Sequence, residues 1–229
     1  GARVLFKEFR HRMHCLAVDD PGIVRDVDTP EDYAALVREQ NRGQIVYTRR
    51  KNMIRAFKGK TPRIAQSAYV DDTAVLIGDI EIGEESSVWP GAVIRADLGK
   101  ITIGQKTIVE DNCVIHAGAP NGRDGDVFIG DRVVIGHGAV LNCRSIGNYV
   151  LIGMNATLLH EACIGDYCLI GAAAMVGSGN IIPDYSFVFG APGKIKGRPS
   201  EEQLWWAKSA YEEYKPLIDE YKKLQTIPS

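Results

Sequence analysis

Between residues 64 and 193 an aliphatic side chain returns at every sixth position. The series runs Ile64, Val70, Leu76, Ile82, Val88, Ile94, then Ile103, Val109, Ile115, then Ile129, Ile135, Leu141, then Ile146, Ile152, Leu158, Ile164, Ile170, Val176, Ile182, Val188. A glycine often follows, as in Ile82-Gly83, Ile103-Gly104 and Ile152-Gly153. A small or branched residue stands four places on, as at Ala74, Ser86, Thr107, Val133 and Ala156. An α-helix cannot use this period, because its apolar stripe needs spacings of three and four. Short strands joined by tight turns can. Three hexapeptides close one triangular coil, the aliphatic side chains stack inside from coil to coil, and glycine serves corners where φ is unusual and space is short. This is the signature of a hexapeptide parallel β-helix, an all-β fold. A sandwich of ordinary strands would not hold so strict a phase.

Breaks in the phase mark insertions. The step from Ile94 to Ile103 is three residues too long, and the step from Ile115 to Ile129 is eight too long, with turn formers at positions 117–126. From Leu141 to Ile146 one residue is missing. Loops on a rigid scaffold are where function tends to sit. The repeat also divides the chain into a 1–60 extension, a 61–199 β-helix and a 200–229 C-terminal helix. In the last segment Ser200 and Gln203 form a capping box. Leu204, Ala207, Tyr211, Tyr214, Ile218 and Tyr221 make an apolar stripe, Trp205 and Trp206 read as packing residues, and Pro216 predicts a kink. In the extension, Thr29 as cap with Pro30 at the first helical position predicts a short helix to about Asn41.

Composition narrows the function. With 45% hydrophobic and 24% charged residues, the 229-residue chain can bury a core. A net charge of −2 gives no global field toward nucleic acid or an anionic membrane. No apolar run approaches the roughly 20 residues of a membrane span, and the first residues carry no signal-peptide pattern. Five cysteines (Cys15, Cys113, Cys143, Cys163, Cys168), with no CxxC, fit reduced thiols in a cytoplasm.

The phase also places the polar residues. Ile94, Ile115 and Leu141 begin the same face on successive coils, so Arg95, His116 and Asn142, each one residue later, stack outside it at a strand spacing of about 4.8 Å. His137 follows Ile135 by two and lies near the corner after a different face. Within one chain the two histidines are therefore not neighbours. They meet where a second subunit presents its corner to the first subunit's face, which a cyclic trimer of three-sided prisms does three times.

Ile94-Arg95-Ala96-Asp97, Ile108-Val109-Glu110-Asp111-Asn112 running on to His116, and Gly136-His137 with position 142 five residues beyond resemble gamma-class carbonic anhydrases. The likeness extends over about residues 62–225 and includes Pro183-Asp184-Tyr185-Ser186 and Gly190-Ala191-Pro192-Gly193-Lys194. It implies a left-handed β-helix, a homotrimer and Zn²⁺ or Fe²⁺ held by three histidines from two subunits. The metal-bound water is acidified to a hydroxide that attacks CO₂. His116 and His137 match two of those ligands. Arg95 and Asp97 match an ion pair that crosses the subunit boundary and orders the site. The segment from Asp19 to Tyr33 resembles the C-terminal tail of molybdenum-cofactor nucleotidyltransferases. The glycine-rich nucleotide loop of that family is missing, which implies an appended remnant or a truncated fusion without nucleotidyl transfer.

Three departures bear on the chemistry. Asn142 stands where the third histidine is expected, and an amide oxygen is a poorer zinc ligand than imidazole. Glu110 replaces the glutamine that orients the hydroxide, while Asp111 is kept. Leu98-Gly99-Lys100 is short and not acidic, so the proton-shuttle loop of some members is lacking. Glu110 offers a carboxylate for a two-histidine, one-carboxylate set. His160, 18 residues past Asn142, is read as one coil further along the same side and about 9–10 Å from His116. The expectation is a gamma carbonic anhydrase-like protein with an atypical metal site and CO₂ hydration weak or lost. The alternatives are a non-catalytic trimeric assembly protein, or an acyl-CoA transferase or thioesterase with His137 or His116 as base.

Overall fold

The computed structural model describes residues 53–118 and 125–225. The short helix expected after Thr29, the tail-like segment from Asp19 to Tyr33, Cys15 and most of the 117–126 loop lie outside the described residues.

The described chain is a parallel β-helix of about seven coils with one C-terminal helix, Glu201–Gln225. Successive coils pair in register on three faces. On the first, Leu76 sits level with Ile94, then Ile115, Leu141, Leu158 and Val176. On the second, Ile82 begins a column through Ile103, Ile129, Ile146, Ile164 and Ile182. The third runs Val70, Val88, Val109, Ile135, Ile152, Ile170 and Val188. The strands Val75–Ile82 and Val93–Ile103 run through the corner between the first two faces and join them into one sheet. Every residue of the six-residue series from Leu76 onward is buried in one core, with Ile64 and Val70 packed against it. Burying each such side chain is worth about 1.5–3 kcal/mol, so the period read in the sequence is the core itself. Pairing also begins earlier than the phase suggests: Ile54–Arg55 lies against Leu76 and Ile77.

The corners divide their work in a way the sequence did not announce. The repeat glycines supply space: a Cβ on Gly153 would stand 2.4 Å from Ala172 N in the next coil. Left-handed φ falls instead three residues after the aliphatic position, on Glu85, Lys106, Arg132, Tyr149, Tyr167 and Tyr185, one above another. Beside that column the small buried residues carry hydroxyls that tie coils together. Ser86 Oγ donates to Gly104 O (2.7 Å) and accepts from Thr107 N (2.9 Å). Thr107 Oγ1 donates to Gly130 O (2.8 Å) and accepts from Val133 N (3.1 Å).

The C-terminal helix begins on the expected box: Gln203 N donates to Ser200 Oγ (3.2 Å), and Ser200 N donates to Gln203 Oε1 (2.8 Å). Leu204, Ala207, Ala210, Tyr211 and Ile218 are buried along its inner side. Trp205 and Trp206 fall outside that stripe and stack on each other while still exposed, so they are not packing residues within the chain. The helix continues unbroken past Pro216.

Candidate functional site

Two polar groups stand out on adjacent coils. The first lies on the Ile94–Ile115–Leu141 face. Arg95 and His116 are register partners, and Asn142 follows Leu141, the partner of Ile115. In the Val93–Ile103 strand, which runs through the corner, Asp97 stands two residues after Arg95 and meets this column. His116 Nε2 is 3.1 Å from Asp97 Oδ1, and Arg95 donates to Asp97 Oδ2. Within the single chain Arg95 and Asp97 pair with each other. A carboxylate only accepts, so Nε2 carries the ring proton and Nδ1 faces the Asn142 amide nitrogen, 3.3 Å away. Burial works to raise the Asp97 carboxyl, but the bonds from Arg95 and His116 outweigh it and hold Asp97 below the usual carboxylate range. Gly118 leaves the ring its room: a Cβ there would be 3.2 Å from His116 Cε1.

The second group lies on the third face. Val109 pairs with Ile135, which sets Glu110 and Asp111 beside Gly136 and His137. His137 Nδ1 is 2.9 Å from Asp111 Oδ2, and Nε2 is 3.2 Å from Glu110 Oε2. The same Glu110 oxygen accepts from the His137 main-chain N (2.9 Å). Glu110 Oε1 accepts from the Tyr214 hydroxyl of the C-terminal helix. Helical spacing alone marks Tyr214 as no more than one member of an apolar stripe.

Arg95, Asp97, His116 and Asn142 are therefore brought together, as are Glu110, Asp111 and His137, but no hydrogen bond or ion pair links the two groups among the described residues. His160 joins neither. The missing residue between Leu141 and Ile146 sets Leu158 level with Leu141, so Leu159 stands over Asn142 and His160 falls one place later, in the turn. Glu110 is drawn to Tyr214 and His137 rather than toward His116. Cys143, beside Asn142, is buried, and burial pushes its thiol up to about 12.

A metal needs lone pairs from three or more groups converging on one point. Among the described residues of a single chain no three histidine, cysteine, aspartate or glutamate side chains do so. One atom nevertheless fits a ligand: Asn142 Oδ1 is buried and has no hydrogen-bond partner. It lies on the amide that faces His116 Nδ1, and the carboxylate–imidazole contact behind that ring is the usual support of a metal-bound histidine. A divalent metal would need His116 Nδ1 released from the Asn142 amide nitrogen and a further imidazole, His137, brought by a second chain.

The family model described as dynactin subunit 5 matches residues 44–219. A carbonic anhydrase of Geobacillus kaustophilus is 36% identical over 173 residues, 76% of this chain and 93% of that protein. A probable carbonic anhydrase of Methanocaldococcus jannaschii is 43% identical over 141 residues, 62% of this chain and 86% of that one. Among solved structures, a hexapeptide transferase family protein of Anaplasma phagocytophilum superposes with a TM-score of 0.68 at 30% identity, covering 73% of this chain and 97% of that one. Among the described residues no helix is long and apolar enough to cross a membrane. The chain belongs to the dynactin subunit 5 family and, with it, to the gamma-class carbonic anhydrase-like group of hexapeptide-repeat β-helix proteins.

Proposed function

We propose that this protein is a homotrimeric carbonic anhydrase-like protein whose Zn²⁺ or Fe²⁺ site is depleted at the third ligand, with CO₂ hydration weak or lost. The observation that carries the reading is the unpartnered, buried Asn142 Oδ1 beside His116. His116 and Asn142 of one subunit and His137 of the next would hold the metal, which when bound supplies an acidified water at neutral pH. Asp97 keeps the His116 proton on Nε2, and Arg95 fixes Asp97. Glu110 and Asp111 hold His137 at the corner. The amide oxygen contributes less binding than an imidazole would, which is why weak retention and weak turnover are expected together.

The test is metal analysis of protein purified without chelator or affinity tag, wild type beside Asn142→His. The substitution is expected to raise both the metal content per chain and CO₂ hydration. No gain in either would refute the reading. A second reading, a non-catalytic assembly subunit, is supported by the intrachain contacts at both ring nitrogens of His116. It expects no metal, and His116→Ala to change stability alone.

A further inference from the structure

His137 is the more exposed of the two histidines: its side chain is 47% exposed against 20% for His116. Asp111, on one side of its ring, is itself 38% exposed. A contact between two groups that open to water holds an orientation weakly. Glu110, on the other side, is buried, and its two oxygens take donors from two different parts of the fold. Oε1 takes the Tyr214 hydroxyl, and Oε2 takes the His137 main-chain N–H and faces ring Nε2. Tyr214 is in turn fixed by an edge-to-face contact with Trp89, ring centroids 5.3 Å apart, and Trp89 Nε1 donates to Ser87 Oγ (3.0 Å). Burial and the neighbouring Glu110 push the Tyr214 hydroxyl well above its ordinary range, so it remains a donor.

We infer that Tyr214 is a positioning residue for His137, acting through Glu110. The inference rests on the reading above, in which His137 is presented to a neighbouring subunit. A carboxylate at position 110 is what this arrangement requires. Tyr214 and the His137 main-chain N–H both donate, one to each oxygen, and a group with no hydrogen of its own accepts at both. A glutamine would turn an NH₂ toward one of them. The glutamate at 110 and the tyrosine at 214 therefore form one device, 104 residues apart in sequence. It hands the fixed geometry of the helix interface to a corner side chain that water would otherwise leave loose.

The test uses the full-length protein, freed of metal with a chelator, and reads the imidazole ¹⁵N and ¹H resonances of each histidine. Tyr214→Phe removes the hydroxyl but keeps the ring on Trp89. It is expected to move and broaden the His137 resonances and leave those of His116 in place. Tyr211→Phe, which removes the hydroxyl bonded to Glu85 one turn away, is expected to change neither. Unmoved His137 resonances in Tyr214→Phe, or an equal displacement in Tyr211→Phe, would overturn the inference. Glu110→Gln gives a second route should Tyr214→Phe not fold, and unmoved His137 resonances there would overturn it equally. The signals are read without metal, so a wild-type protein that binds none ends the proposed function and leaves this result standing.

Discussion

Thr107 is the most direct place to ask whether the hydroxyl column sets the height of the coils that carry the site. Its side chain is fully buried, and it immediately precedes the strand Ile108–Val109 that leads into Glu110 and Asp111. Its hydroxyl also receives Val133 N, immediately before the strand Val134–Ile135 that leads into His137. Thr107→Val keeps the shape of the side chain and deletes the hydroxyl. Gly130 O then loses its donor and Val133 N its acceptor, and both belong to buried residues. An orphaned buried group costs roughly 1–3 kcal/mol, and two of them, with some relaxation of the main chain, cost about 2–4 kcal/mol. Thr107→Ser keeps both bonds and loses one methyl, worth about 1 kcal/mol. Urea unfolding followed by circular dichroism at a single protein concentration, held fixed because assembly shifts the midpoint, should rank wild type above serine and serine above valine. A valine variant as stable as the serine one would show that the hydroxyl does not tie the coils.

Other expectations follow from the same packing. Burial pushes the thiols of Cys113 and Cys143 up to about 12, so neither should react with an alkylating reagent at about pH 8 until the protein unfolds. Their folded values exceed the unfolded value of about 8.5, so the folded state keeps protons that the unfolded state releases. The stability they contribute is whole below that pH and declines above it, and a Cys113→Ala, Cys143→Ala variant should lose less stability than wild type between about pH 9 and 11. Gly78 has φ +92° and a Cβ there would stand 2.1 Å from Ala96 O, whereas Gly59, φ +76°, has open space. Gly78→Ala should fail to fold or melt far below wild type, while Gly59→Ala should cost only about 1–2 kcal/mol by thermal melting.

The scaffold was legible because burial and sequence share one period. Each aliphatic residue of the series points inward, so counting in sixes amounts to reading the core. The same count placed Arg95, His116 and Asn142 in one column, since register follows from phase. It failed where phase was broken or irrelevant. His160 was carried forward by 18 residues across a coil of 17, which the pairing of Leu141 with Leu158 makes plain. Left-handed corners fell three residues after the aliphatic position, on tyrosines, charged residues and asparagines as well as on Gly91, Gly138 and Gly179, and not on the glycines that follow the aliphatic residue; along one column Tyr149, Tyr167 and Tyr185 stack at 5.0 and 4.8 Å. Tyr214 could not be found, because no periodicity in a helix reveals which residue of a distant strand it meets.

A stack of coils has contacts only between neighbours, and such assemblies tend to fray from their ends. Here the C-terminal helix, about 37 Å long, is laid across the stack as a splint. Arg132 donates to Lys208 O, Tyr211 reaches Glu85, Tyr214 reaches Glu110, and Lys222 reaches Ser67 O. Rungs far apart in the ladder are thereby clamped to one rod, and a loss at either end must be felt in the middle. Amide exchange should accordingly retreat as a single block across the whole prism, and turn into a gradient from the tips once the rod is cut away.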